Sequence, residues 1–309
     1  MKEMQLLTEN YLSHCLYQKN LNPKTIKAYS IDLKQFIEFL EDSKIEINKI
    51  GISTYITHIH KIFKPKTIKR KIACLKAFFN YLEYEEILDK NPFTRLNIKF
   101  KEPSTLPRTI PINNLEKILS IVYAEISKND STEFQLNAIY RDIAVLELLF
   151  ATGARVSELC SLSNHDVDLI NKIILITGKG SKERIVQIGN DDVIAALTAY
   201  RDRFYSDIEQ SGFFFVNRLK NRLSEQSIRF MINKYVDKAG ITNHITPHMF
   251  RHSFATLLLE EDVDIRYIQK LLGHSSITTT QIYTHVSSTK QKYILTAKHP
   301  RNKIIINKG

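Results

Sequence analysis

A proline-rich stretch divides this chain of 309 residues near the end of its first third. Pro103, Pro107 and Pro111 interrupt any helix there, because proline lacks a backbone N–H and restricts the residue before it. A chain of this length usually folds as more than one domain. We therefore predict an N-terminal domain over residues 1–100, a linker over 101–111 and a C-terminal domain over 112–309.

The N-terminal domain has the apolar spacing of helices. Leu12, Cys15 and Leu16 recur at helical intervals, and a second such pattern runs from residue 31 to 40. The pair at 22–23, Asn-Pro, predicts a turn followed by a helix that starts at the proline. A further helix is expected from residue 67 to 82, and the Asn-Pro pair at 91–92 ends the set. The domain is predicted to be all helical.

The C-terminal domain mixes helices with one β-hairpin. Apolar periodicity predicts helices over 115–122 and 140–150. Residues 173–177 and 184–188 are rich in β-branched side chains and flank a Gly-Lys-Gly turn, which is typical of two paired strands. The fold class predicted for the chain is therefore mainly α with a small β-sheet, with an α+β C-terminal domain.

Net charge limits the class of partner. The chain carries a formal charge of +11 with an ordinary fraction of hydrophobic residues, 43%, which favours a polyanionic partner such as nucleic acid. No apolar run is long enough for a bilayer span, and the N-terminus lacks the apolar segment of a signal peptide. A cytoplasmic protein is expected.

Cys15, Cys74 and Cys160 lie far apart, so free thiols are favoured over a disulfide or metal site.

The last third of the chain concentrates residues that suit phosphate chemistry. A Thr-Pro pair at 246–247 predicts a helix N-terminus, which places His248 in the first turn and Arg251 on the same face. A helix N-terminus, an imidazole and a guanidinium then converge where a phosphate can bind. His274 follows in a Gly-His-Ser-Ser turn. Tyr283 lies on the next predicted helix, where a tyrosine can attack phosphorus.

With two motifs upstream, these residues resemble the signature of the tyrosine recombinase (phage integrase) family, and they are most similar to its Xer branch. That family has an arginine in an Ala-x-Gly-x-Arg-x-Ser-Glu-Leu context, which this chain matches around Arg155. It also has a lysine in a β-hairpin, matched by Lys179 in Thr-Gly-Lys-Gly. The similarity covers about residues 8–302. It implies a helical, SAM-like core-binding domain and a catalytic domain that form a C-shaped clamp around DNA.

The resemblance implies a role for each matched residue. Tyr283 is the nucleophile that forms a 3′-phosphotyrosine ester, Lys179 is the general acid, and His248 accepts a proton or helps to hold the phosphate. The residues implied to stabilise the phosphate are Arg155, Arg251 and His274. Glu158, three residues after Arg155 on the same helix, is expected to orient its guanidinium. Fixed cations can meet the charge of the transition state, so no metal or cofactor is expected.

Simpler interpretations compete for some of these residues. A lysine at a hairpin tip is ordinarily solvated. Lys182 lies nearby and is an alternative candidate for the general acid, and only the Thr-Gly-Lys-Gly motif favours Lys179 over it. His244, His248 and His252 recur every four residues like a metal-binding face. Pro247 interrupts that stretch and no acidic or cysteine ligand completes it, so we exclude the metal site. His252 is expected to be a structural neighbour of the site.

A basic segment is the candidate DNA contact of the N-terminal domain. Six basic residues and no acidic one lie between Lys61 and Lys71. A run of charge is ordinarily a solvated face, but the resemblance favours contacts with DNA phosphates, and helical spacing lets one face follow the backbone. The predicted DNA-binding residues are Lys64, Lys66, Thr67, Lys69 and Arg70.

The resemblance also implies an assembly and a cellular task. It implies four protomers on two DNA duplexes that exchange strands through a Holliday junction, as a homotetramer or with a paralogue, with a DNA translocase as a possible activator. The C-terminal tail is expected to dock on a neighbouring protomer. No arm-binding domain precedes the helical region, which favours resolution of chromosome or plasmid dimers in chromosome partition and cell division. Open alternatives are a mobile-element integrase or invertase, a type IB topoisomerase and an inactive DNA-binding protein.

Overall fold

The computed structural model describes residues 2–94, 96, 98, 108–127, 132–178, 182–273 and 288–306. The chain divides into two compact units, Met1–Thr105 and Leu106–Gly309. Near this division, Ile110 is buried and its N–H donates to the Ser253 hydroxyl at 2.6 Å. The end of the predicted linker therefore packs on the second unit. The roles assigned to the domains stay a prediction.

The described part of the first unit consists of helices, as predicted. Asn22 accepts a hydrogen bond from the Lys24 N–H, and Asn48 does the same for Gly51, so side-chain caps start the second and third helices. Aromatic rings dominate the buried interior, where the Phe36 ring meets those of Tyr55 and Phe79 edge to face. The helices are α1 (Lys2–Tyr17), α2 (Pro23–Ser43), α3 (Lys49–Ile62) and α4 (Pro65–Tyr84).

The second unit is built around α6, whose residues from Ile143 to Thr152 are all buried. This helix packs against α5, α8 and α10. An apolar helix enclosed on all sides explains why its sequence is hydrophobic without a clear polar face. The helices of this unit are α5 (Ile112–Ala124), α6 (Glu133–Thr152), α7 (Val156–Cys160), α8 (Asp191–Ser211), α9 (Glu225–Lys238), α10 (Pro247–Glu260), α11 (Ile265–Leu272) and α12 (Ser288–Ala297).

A small antiparallel sheet completes the second unit and confirms the fold class. The strands are β1 (Val167–Asp168), β2 (Ile173–Thr177) and β3 (Glu183–Gln187), in the spatial order β1-β2-β3. The predicted hairpin is confirmed, with Thr177 opposite Glu183 and Leu175 opposite Ile185. The sequence did not predict β1, since a strand of two residues has no detectable period.

Glycines end two helices that frame the site. Gly153 follows α6 with φ +58°, and Gly273 follows α11 with φ +64°, a conformation that side chains disfavour. A Cβ atom on Gly153 would lie 2.6 Å from the Phe254 ring and 2.9 Å from Leu272. Only glycine therefore lets α10 and the end of α11 pack this closely on the end of α6.

No helix within the described ranges combines the length and the apolar character needed to cross a bilayer. The three cysteines are buried, and none of them forms a disulfide among the described residues. A fully buried thiol packs as a small hydrophobic side chain.

Candidate active site

Arg251 is the buried centre of the site. Its side chain, on α10, donates from Nη1 to the Gly153 carbonyl at 2.8 Å and from Nη2 to the Leu272 carbonyl at 2.6 Å. Both carbonyls terminate helices, where the helix dipole is negative and favours a cation. Burial and the like charge of Arg155 lower the pKa of Arg251 to about 10, so its guanidinium stays protonated at neutral pH. The helix ends fix the orientation of this cation.

Arg155 lies beside Arg251 and is oriented by Glu158, as predicted. Its Nη1 donates to Glu158 Oε1 at 2.6 Å, and its backbone N–H donates to Oε2 at 2.9 Å. About a third of the Arg155 side chain is exposed, 33%, against 5% for Glu158. Burial raises the pKa of Glu158, but hydrogen bonds from Arg184 and Arg155 outweigh it and hold the pKa below its ordinary value. An ionised carboxylate therefore holds an accessible guanidinium.

His248 is the second residue of α10, one turn before Arg251. Thr246 is the N-cap residue and Pro247 the first helical residue, as predicted, although the threonine side chain makes no capping hydrogen bond. The imidazole is accessible to solvent. Surrounding protein atoms and the charges of His252, Arg251 and Arg155 lower the pKa of His248. A histidine that is neutral at pH 7 suits the acceptance of a proton.

The sequence did not identify Arg184, which the structure places within the same cluster. From β3, its Nη2 donates to Glu158 Oε2 at 2.7 Å and its Nε donates to the Leu271 carbonyl at 2.9 Å. The side chain is 11% exposed. The signal available in the sequence was weak, since alternate residues of a strand face opposite sides and an arginine is usually assigned to the solvent side.

Three predicted catalytic residues lie outside the described residues, namely Lys179, His274 and Tyr283. The structure describes what flanks them. The Gly178 N–H donates to the Lys182 carbonyl at 2.7 Å. This bond extends the β2–β3 pairing by one residue on each strand, up to the segment that contains Lys179. Gly273, directly before His274, follows the Leu272 carbonyl that accepts from Arg251. Of the predicted residues, the structure thus brings together Arg155, Glu158, His248 and Arg251.

The charge of the cluster suits an anion. Three arginines, Arg155, Arg184 and Arg251, surround the single carboxylate of Glu158. Guanidinium groups bind phosphate in a planar, charge-assisted geometry and remain charged across the working pH range. An excess of fixed positive charge can stabilise a phosphate transition state. In the part of the chain that the structure describes, no group of His, Cys, Asp and Glu side chains is arranged to hold a metal ion.

The predicted DNA-binding residues of the first unit lie at the start of α4. Lys64, Lys66, Lys69 and Arg70 are exposed, and Thr67 is half-buried. Arg70 also forms an ion pair with Asp32 on α2 and donates to the Ala28 carbonyl at 3.3 Å. These contacts hold one nitrogen of its guanidinium, Nη1, against the neighbouring helix. A role of these residues in DNA binding stays a prediction.

Lys71, the last of the six basic residues in the segment, does not share the exposure of the predicted DNA-binding residues. Its ammonium is buried, donates to Asp32 Oδ1 at 2.9 Å and to the Gln35 side chain, and lies 4.6 Å from the centre of the Phe63 ring. A buried charge needs such partners. Lys71 is therefore part of the core of the first unit and is unavailable to DNA.

The C-terminal tail, residues 288–306, packs on its own unit. Leu295 is fully buried and Ile294 nearly so, whereas Tyr293 is exposed. The backbone of Leu295 lies close to Gly189, and a Cβ atom on Gly189 would be 2.5 Å from the Leu295 carbonyl.

His299 joins the tail to α6. Its Nε2 contacts the Ala151 carbonyl at 2.8 Å. Its Nδ1 accepts from the Arg301 N–H, and full burial lowers the pKa of His299 to about 4. A neutral imidazole therefore joins the tail to the end of α6.

Arg301 anchors the tail through a buried ion pair. Its Nε donates to Glu147 Oε2 at 2.9 Å and its Nη2 donates to Oε1 at 3.1 Å, while the Tyr123 hydroxyl donates to the same carboxylate at 2.8 Å. The side chains of Glu147 and Arg301 are 0% and 2% exposed. The acceptor site for the tail is thus a carboxylate inside the helical core.

Replacing Glu147 by glutamine is expected to weaken docking of the tail by about 3–5 kcal/mol. The buried Arg301 then loses its hydrogen-bonded carboxylate and keeps only Asp192, at 3.8 Å and half exposed, as a counter-ion. Hydrogen exchange of the amides in residues 292–306 measures the change, and exchange should become much faster. The double variant Glu147→Leu with Arg301→Met is the matched control, since an apolar pair avoids the unpaired charge. Exchange in Glu147→Gln as slow as in the wild type would contradict the anchor.

Comparison with known proteins identifies the family of the chain. The model of the phage integrase family matches residues 109–290, and that of the phage integrase N-terminal SAM-like domain matches residues 8–86. A tyrosine recombinase of Agathobacter rectalis is 53% identical over 302 residues, covering 97% of this chain and 98% of the relative. Tyrosine recombinase XerD of Staphylococcus epidermidis is 36% identical over 306 residues, covering 96% of this chain and all of the relative.

Solved structures share the fold. XerH recombinase bound to palindromic difH substrate, in a post-cleavage complex, matches with a TM-score of 0.70 at 24% identity, over 92% of this chain and 82% of that one. A lambda integrase dimer bound to a core site matches with a TM-score of 0.65 at 18% identity, over 92% and 99%. With two matching domain models and relatives aligned along nearly its whole length, the chain belongs to the phage integrase family and is a site-specific tyrosine recombinase.

Proposed function

We propose that this recombinase breaks and rejoins DNA through an ester between Tyr283 and a DNA 3′-phosphate. The observation that carries the proposal is the convergence of Arg155, Glu158, His248 and Arg251, in which a buried carboxylate and two helix ends orient the guanidinium groups. A phosphodiester placed against Arg155 and Arg251 has its non-bridging oxygens neutralised by fixed cations.

Strand cleavage then follows as a balanced transfer. The Tyr283 oxygen attacks phosphorus and its proton passes to His248, whose lowered pKa suits a neutral acceptor. The bond from phosphorus to the 5′ oxygen breaks, and that oxygen takes a proton from Lys179, while His274 donates to a non-bridging oxygen. The ester retains the free energy of the broken bond, so another strand with a 5′ hydroxyl can replace the tyrosine without ATP.

The proposed cellular task is Xer-type resolution of chromosome or plasmid dimers in the cytoplasm. Relatives named XerC and XerD that align along nearly the whole chain support it. In this proposal the two domains close around duplex DNA, with the basic start of α4 on the phosphates. Four protomers, or two each of this chain and a paralogue, act on two duplexes. In this assembly the tail leaves its site on its own unit and docks on the equivalent site of a neighbouring protomer. A DNA translocase activates the assembly.

The test uses a nicked duplex that carries the candidate dimer-resolution site of the host, so that the cleaved fragment diffuses away and the covalent intermediate accumulates. We expect a protein–DNA adduct on a denaturing gel with this duplex and none with a scrambled duplex at the same salt concentration. The salt must match, because non-specific affinity depends strongly on it. Equal adduct on both duplexes would contradict site-specific cleavage and favour a topoisomerase. An adduct only on mobile-element ends would reassign the task.

A further inference from the structure

Arg184 joins three segments of the catalytic unit. It belongs to β3, donates to the Glu158 carboxylate of α7 at 2.7 Å, and donates to the Leu271 carbonyl of α11 at 2.9 Å. The two bonds leave different nitrogens, Nη2 and Nε, so they use the fixed fork of the guanidinium. A lysine ammonium, which is a single point charge on a flexible stem, cannot make both contacts in the same way.

Gly273 makes room for this guanidinium, and Gly178 lies beside it. A Cβ atom on Gly273 would lie 3.1 Å from Arg184 Nη1, and one on Gly178 would lie 3.7 Å from the same nitrogen. The first distance is tighter than ordinary contact, so a side chain at 273 would displace Arg184. Gly178 and Gly273 directly precede Lys179 and His274 in the sequence. Arg184 therefore packs against the two backbone segments that lead into these residues.

Each contact of Arg184 is with a group next to, or bound to, a residue predicted to act on the phosphate. Through Glu158 it fixes the carboxylate that binds Arg155 at 2.6 Å. Through the Leu271 carbonyl it fixes the last turn of α11, whose Leu272 carbonyl binds Arg251. Arg184 itself is 11% exposed, against 33% for Arg155, so a phosphate has better access to Arg155 than to Arg184.

We propose that Arg184 is a positioning residue for strand cleavage, which aligns Arg155 through Glu158 and aligns the end of α11 with the β2–β3 hairpin. This inference rests on the proposed function, because alignment matters only if these groups act on one phosphate. Misplacing a reacting or stabilising group by about 1 Å costs on the order of 100-fold in rate. Arg184 thus acts on the reaction through other residues and not by contact with the phosphate.

The test compares wild type, Arg184→Gln and Arg184→Lys in single-turnover cleavage of the nicked duplex at saturating protein, with DNA affinity measured separately. We expect Arg184→Gln to cleave about 100-fold more slowly, with DNA affinity within about twofold of the wild type. Arg184→Lys is expected to recover part of the rate, since it restores one of the two contacts. Arg201→Gln is the matched control, because Arg201 on α8 pairs only with the exposed Asp202 at 3.3 Å among the described contacts.

A pH series distinguishes positioning from a merely structural role. Glu158, on α7, faces Arg155 at the N-cap of that helix, Arg184 on β3 and Arg251 on α10. Without Arg184, the carboxylate loses a donor, protonates at a higher pH and releases Arg155. The rate deficit of Arg184→Gln should therefore widen as the pH falls toward the ordinary pKa range of a glutamate, from about 6 to about 4.5. Loss of stability alone would lower the fraction of active protein without this dependence.

The outcomes separate the inference from the proposed function. If wild type forms no adduct, the proposed function fails. If wild type forms the adduct and Arg184→Gln cleaves within about twofold of it at saturation, the proposed function stands and the positioning role is wrong. If Arg184→Gln does not fold, Arg184→Lys decides, and a full wild-type rate in that variant overturns the inference.

Discussion

Arg251→Gln is expected to cut DNA on the order of 1,000-fold more slowly than the wild type, because a fixed cation disappears from the place where phosphate charge develops. The neutral amide of glutamine cannot supply the charge-assisted hydrogen bonds of a guanidinium. The cleavage rate at saturating protein on the nicked duplex measures the loss. The loss is expected in the rate of cleavage and not in DNA binding, because one lost phosphate contact changes DNA affinity only modestly.

The environment of Arg251 explains why lysine cannot replace it either. The guanidinium spans the Gly153 and Leu272 carbonyls at 2.8 and 2.6 Å, and a lysine has one nitrogen for both. Burial and neighbouring arginines already lower the pKa of Arg251 to about 10. A lysine starts from a lower pKa, so the same surroundings favour its neutral form. Arg251→Lys should therefore remain strongly impaired, with a smaller deficit at lower pH.

Loss of stability needs its own control, because removing Arg251 leaves two buried carbonyls without their donor. Arg141→Gln is matched for this purpose. Arg141 is 19% exposed and pairs with the buried Asp142 at 2.8 Å on α6, away from the cluster. We expect this variant to lose stability and keep the cleavage rate per folded molecule. An Arg251→Gln protein that cleaves as fast as Arg141→Gln would contradict the assignment.

Local spacing explains which parts of the site the sequence could predict. Arg155 is the N-cap residue of the short helix α7 and Glu158 is its third residue, so their contact follows from the local geometry of a capping box. His248 and Arg251 follow from a helix that begins at a proline. The hairpin follows from two β-branched runs around glycine. In each case neighbours along the chain determine the structure.

Contacts between distant residues account for what the sequence did not predict. Arg184 binds a backbone carbonyl 87 positions away, and any residue type supplies such a carbonyl. Lys71 appeared to belong to a basic surface, yet its partners Asp32 and Gln35 lie 39 and 36 positions away and draw it into the core. Arg301 likewise pairs with Glu147 across 154 positions. Charged residues are ordinarily exposed, so a sequence predicts exposure for them. Their burial becomes apparent only when the tertiary structure shows the counter-ion.

Tyr283→Phe is expected to abolish the covalent adduct, a loss of at least about 10,000-fold, because the variant lacks the oxygen that attacks phosphorus. DNA binding should be retained, since the phenol oxygen adds nothing to the phosphate contacts that dominate affinity. The adduct on the nicked duplex and a parallel binding titration measure the two properties. The expected result is a protein that binds its site normally and never becomes attached to it.

The position of the nucleophile needs a chemical control, because the chain contains 14 tyrosines. Tyr205→Phe is matched, since Tyr205 is 60% exposed on α8 and so presents an accessible phenol outside the arginine cluster. It should form the adduct at the wild-type rate. Mass spectrometry of the wild-type adduct should place the nucleotide on the peptide that contains residue 283. A persistent adduct in Tyr283→Phe, attached to another tyrosine, would overturn the assignment while leaving cleavage by a tyrosine intact.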